Sequence, residues 1–166
     1  MLQTKPPYQD TFKMSSMMNV PVSTHVVESA VIRASPAKCW QVLSQMDFNW
    51  WKIVSSSALV SGASPQTLDA TTRLNFKDGL SWTIQLREVS SIQKSVTFEV
   101  ITCEPAASVS SVIHTITLKK ITTEPTSTYV EWVTDFSSDA TAETVMDSSF
   151  KRKDAFGDLA VTASAL

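Results

Sequence analysis

The sequence predicts an α+β fold: a curved antiparallel β-sheet with one long C-terminal helix laid across it. Three observations carry this. Closely spaced, β-rich segments fill the middle of the chain and are joined by short turns. A short helix signal follows the first of them. The end of the chain, from Asp139 on, has no proline and repeats apolar residues at three- and four-residue steps.

Taken in order, "HVVESAVIRA" is rich in β-branched residues and reads as the first strand. In "SPAKCWQVLSQM", Ser35 is a good N-cap and Pro36 fits the first helical position. Trp40, Leu43 and Met46 then recur at helical spacing. "DFNWWKIV" reads as a turn or a second short helix. Six strands follow: "VSSSALVSG", "ATTRLNF", "LSWTIQLREV", "SVTFEVITC", "VSSVIHTITLKKI" and "TYVEWVTDF". Asp78-Gly79 is a tight-turn signal, and "TTEPTS" is another turn. On the last helix, Met146, Phe150 and Ala160 line one side, with Val145 and Phe156 flanking. That spacing predicts Met146 and Phe150 buried against the sheet. Gly157 interrupts the helix at a cost of about 1 kcal/mol. On the inner face it would mark a close approach to the sheet.

A chain of 166 residues makes one domain. We place it at residues 24–166, after a flexible N-terminal extension over residues 1–23. Pro6, Pro7 and Pro21 interrupt any helix there, and no continuous apolar core makes a secretory signal. Net charge is −2 with Lys and Arg scattered, so no basic stripe forms and nucleic acid is not an expected partner. No run approaches the ~20 apolar residues of a membrane span. Cys39 lies in a helix pattern and Cys103 at a strand end, which predicts two buried free thiols in a reducing, cytoplasmic compartment. No metal-ligand spacing, glycine-rich phosphate loop or Ser-His-Asp order exists, so no metal or cofactor is expected.

Strand alternation selects the candidate site. His114 shares a face with Val112, Ile116 and Leu118; Thr134 shares one with Val130, Trp132 and Phe136. Trp82, Ile84 and Leu86 point the same way, as do Val96, Phe98 and Val100. An apolar lining with few polar groups is what a small-molecule pocket looks like. The expected lining is Trp82, His114, Trp132, Thr134, Met146, Phe150 and Lys153. His114 is a ligand-reading group, a general base, or a core histidine bonded to a neighbour. Lys153 either meets a ligand oxygen or snorkels out, and "FKRKD" as a whole reads as a solvated turn of helix. Trp51 is expected as a structural plug, leaving Trp50 at the cavity entrance or the surface.

Several strings resemble the START-like superfamily, which includes the birch pollen allergen family and the polyketide cyclase/dehydrase and lipid-transport (SRPBCC) family. "IRASPAKCWQVLSQMDFNWW" is similar to its opening strand, helix and following tryptophan. "FKDGLSWTIQLREV" is similar to its DG hairpin, "EPAASVSSVIHTITLKKI" to the strand after a proline loop, and "STYVEWVTDFSSD" to its last strand. The resemblance covers roughly Thr24 to Ala163. It implies a helix-grip fold enclosing a cavity, in a family whose members bind lipids, sterols, hormones or polyketides and of which a minority are enzymes. Many cyclase-like members carry an Arg before the DG turn and a Glu after it. Those positions are Thr72 and Ile84 here, and Arg73 is turned to the other face. No catalytic acid therefore carries over.

The leading expectation is a protein that binds or carries a hydrophobic small molecule and is not an enzyme. The alternatives are a cyclase-, dehydratase- or hydrolase-type enzyme using His114 in the same cavity, and a regulatory, co-chaperone-like module using the outer sheet face. An acid within hydrogen-bond reach of His114 would favour the enzyme. A filled interior with an exposed aromatic patch would favour the module.

Overall fold

The computed structural model describes residues 23–166. The expected extension, apart from Ser23, lies outside the described residues. Seven strands and two helices follow one another: β1 (His25–Ile32), α1 (Pro36–Leu43), β2 (Val54–Ser61), β3 (Thr71–Phe76), β4 (Ser81–Ser90), β5 (Ser95–Glu104), β6 (Val112–Lys120), β7 (Thr128–Phe136) and α2 (Ala142–Ser164). The strands form one antiparallel sheet in the order β1-β7-β6-β5-β4-β3-β2. β2 to β7 thus form a meander, and β1 closes onto β7. β2 pairs with β3 through two register shifts, between Val54 and Ser56 and between Leu59 and Ser61.

Local chemistry explains the element boundaries. Ser35 caps α1 by accepting from the Lys38 N–H, and Pro36 opens the helix. Past α1 the chain does not make a second helix. Met46 and Phe48 take left-handed backbone angles (φ 56° and 52°), which side chains of this size seldom adopt, and both are buried. Burial of their side chains holds those turns in place. Thr141 caps α2 by accepting from the Thr144 N–H.

The inner sheet face follows the expected alternation. Ile84, Leu86, Val96, Phe98, Ile116, Val130 and Trp132 form one core with Cys39, Leu43 and Trp51. The two helices pack on each other, and α2 also packs on β1.

The face that α2 presents differs from the expected one. Its buried residues are Ser148, Arg152, Ala155, Phe156, Leu159 and Ala163. Met146 and Phe150 are instead 58% and 62% exposed. The helix is rotated because its C-terminal half sets the contact: Phe156, Leu159 and Ala163 are a tighter apolar set than any stripe through Met146. Small residues at 155 and 163 let the backbone approach the core. Lys153, next to Arg152, consequently points outward; its Nζ lies 3.8 Å from Glu28 and over the Phe150 ring. Gly157 also faces outward, with open space where a Cβ would stand.

Candidate functional site

α2 seals the core with its C-terminal half and stands off the sheet with its N-terminal half. The apolar C-terminal half can exclude water, whereas Ser148 and Arg152 cannot fill the inner face in the same way. A cavity of about 360 Å³ lies under this half. Its sheet wall carries Leu80, Trp82, Val100, Val112, His114 and Phe136. Its mouth is bounded by the β5–β6 loop and by the first turns of α2 as far as Ser148.

The mouth is tied together by hydroxyl groups and one acid. Ser108 and Thr144 hydroxyls meet at 3.0 Å between loop and helix. Asp139 accepts from the backbone N–H of Ser110 and from the hydroxyls of Ser110 and Ser137. These bonds, the Ser110 hydroxyl first and Ser137 next, hold the Asp139 carboxyl down at about 2.

His114 is 1% exposed, and its ring lies stacked with Trp82 at 5.7 Å and tilted against Phe98 at 5.0 Å. Trp132 Nε1, which can only donate, points at His114 Nδ1 from 3.1 Å. Nδ1 is therefore an acceptor, and the proton of the neutral ring resides on Nε2. The Thr134 hydroxyl, 2.9 Å from the same Nδ1, must likewise donate to it. Burial, and secondarily the charge of Arg152, pulls the ring's pKa down to about 3. His114 is thus neutral at physiological pH, and its Nε2–H has no protein acceptor among the described residues.

Arg152 sits behind this wall and is 1% exposed. Its Nη1 donates to the Thr134 and Ser148 hydroxyls. Its Nε and Nη2 have no partner among the described residues. Burial lowers its pKa to about 10, against the attraction of Glu28, so the guanidinium stays charged at neutral pH. No carboxylate lies within 4 Å of it among the described residues.

The sequence-predicted positions thus divide. Trp82 and His114 face the cavity. Thr134 and Trp132 are buried behind His114 and hold its ring. Met146, Phe150 and Lys153 lie on the far side of α2, for the packing reason given above. Trp51 is buried edge-on to Phe76, at 5.5 Å, and to Trp132, at 5.6 Å. Trp50 is also buried, stacked on Trp51 at 6.3 Å, and borders a separate groove with Gln41 and Leu166, away from the cavity mouth. Both cysteines are free; Cys39 is buried, and Cys103 is half-buried at the cavity edge. Arg152 and Ser148 were hidden within a stretch that reads as solvated helix. The signal for them is the spacing from Phe156 and Leu159 backward: Arg152 is four residues before Phe156, and Ser148 four before that.

The model of one protein family, described as polyketide cyclase / dehydrase and lipid transport, matches residues 23–162. The chain belongs to that family. Its fold is the helix-grip fold of the START-like proteins. Among solved structures, the family member resembles a protein from Nitrosospira multiformis at 23% identity and TM-score 0.72, over 82% of this chain and 94% of that one. It is similar to Ara h 8.0201 at 11% identity and TM-score 0.70, over 86% and 98%. It is also similar to the major latex-like protein 151 of Panax ginseng at 14% identity and TM-score 0.67, over 82% and 95%. No curated protein matches it in sequence. At the two positions where many cyclase-like relatives carry an ion pair, Thr72 and Ile84 are direct cross-strand partners, and both are buried. No helix among the described residues is long and apolar enough to cross a membrane.

Proposed function

We propose that the protein binds a hydrophobic small molecule in the cavity between α2 and the sheet, with Trp82 as apolar wall and His114 as the group that reads the ligand's polar end. The observation that carries this is a cavity of about 360 Å³ with an apolar sheet wall and a buried, neutral His114 whose Nε2–H has no acceptor among the described residues. Apolar burial supplies affinity at about 25 cal/mol per Å² before the costs of binding. That donor orients the molecule. An enzyme using His114 as a base is less well supported. The ring's neighbours are Thr134 and Trp132, with no acid to orient it, and a pKa of about 3 makes it a feeble proton acceptor near neutrality.

The test compares two probes of similar shape, butylbenzene and para-butylacetophenone, by titration of tryptophan fluorescence. His114→Ala should weaken the ketone by about 1–3 kcal/mol, the loss expected when a buried group goes unpaired. It should leave butylbenzene nearly unchanged. Equal losses for both probes would mean that His114 shapes the pocket without reading the ligand. No binding of either probe to the unaltered protein would remove the proposal.

A further inference from the structure

Two hydrogen-bonded paths run from Arg152 to the polar wall of the cavity. One path goes from Nη1 to the Thr134 hydroxyl, on to His114 Nδ1, and across the ring to the Nε2–H, which has no acceptor among the described residues on a side chain that borders the cavity. The other goes from Nη1 to Ser148 Oγ at 3.0 Å. Ser148 borders the cavity, and because its oxygen accepts from Arg152, its own proton is free to donate. The wall therefore offers two donors, both polarised by one buried cation.

That cation has no carboxylate within 4 Å among the described residues. Glu28, on β1, is the acid whose field reaches Arg152, but its carboxylate accepts from Ser149 and lies near Lys153. At the mouth, Asp147 is paired with Lys151 at 2.9 Å, and Glu143 stands exposed on the first turn of α2. Arg152 itself does not border the cavity, and its Nε and Nη2 have no partner among the described residues, so what the cavity meets is the pair of donors on His114 and Ser148, which suits the two oxygens of a carboxylate. A buried positive charge served only by hydroxyls is costly by itself. An anion in the cavity would offset that cost.

We infer that the cavity takes ligands that join an apolar body to a carboxylate or an equivalent planar oxyanion, held by His114 Nε2–H and Ser148 Oγ–H over the charge of Arg152. This rests on the reading that the cavity binds a small molecule. It adds the sign of the ligand's charge and the residue that sets it. Arg152 acts through Thr134 and Ser148 as a positioning and charge-supplying residue.

The experiment titrates the full chain at neutral pH with butylbenzene, para-butylacetophenone and para-butylbenzoate. Hydrogen bonds to a charged acceptor are stronger than those to a neutral one, so the benzoate should bind about tenfold or more tightly than the ketone. If the two uncharged probes bind and the benzoate binds equally or less well, this inference falls while the binding proposal stands. If none of the three binds, both fall. Arg152→Gln should abolish the preference for the benzoate and leave butylbenzene affinity unchanged. A preference that survives the substitution would overturn the role of Arg152. Should Arg152→Gln fail to fold, Ser148→Ala at the cavity border should weaken the benzoate about fivefold and spare butylbenzene, since it removes one charge-assisted hydrogen bond. An unchanged benzoate affinity there would overturn the assignment.

Discussion

His114 keeps its proton on Nε2 because Trp132, which can only donate, points at Nδ1. The consequence can be read in stability as well as in binding. With a folded pKa of about 3 against an ordinary 6.5, the ring takes up a proton far more readily in the unfolded chain. The stability it protects is therefore fully present above pH 6.5 and is lost as the pH falls from there toward 3. In that window each pH unit should cost about 1.4 kcal/mol, beyond what the carboxylates contribute. Denaturant unfolding between about pH 7 and pH 5 checks this, since His114→Gln should flatten the slope by that amount. Equal slopes for the two proteins would show that the ring is not held neutral. Asp139 contributes only at lower pH, since its carboxyl protonates near 3.8 when unfolded but stays ionised to about 2 when folded, so the range from pH 7 to pH 5 reports the histidine.

At the scale of elements, α2 shows where sequence reading succeeds and where it fails. Its existence and its place at the end of the chain follow from proline-free apolar spacing. Its rotation does not. Three- and four-residue steps can be drawn through Met146 and Phe150 or through Phe156, Leu159 and Ala163. Only the sheet, by accepting the second set, decides between them. An arginine in that second set reads as solvent-facing on its own, so Arg152 stayed concealed. Stability measurements should separate the two faces. Leu159→Ala should cost about 2–5 kcal/mol, while Met146→Ala should change stability by less than about 0.5 kcal/mol. Gly157→Ala, on the open outer face, should add about 0.5–1 kcal/mol by removing a helix-weakening residue. A loss in that variant would mean that the helix needs the glycine there.

Across the whole molecule, the meander was legible because each strand alternates and each turn carries its own punctuation. Asp78-Gly79 is an example, with Gly79 at φ 89° where side-chained residues are strained. The inward residues of β4 to β7 were legible for the same reason. The cavity was not, since a void depends on which half of α2 fits the sheet, and periodicity does not report fit. The architecture also settles how the sheet ends. β2 lies at one margin, reads "VSSSALVS", and is broken by two register shifts. A second molecule seeking to extend the sheet there would meet a stuttering row of amide groups, with serines beside the exposed Leu59 and Val60. The β2 margin is thereby a discontinuous template for strand addition, at one end of a sheet that the internal void leaves unclosed.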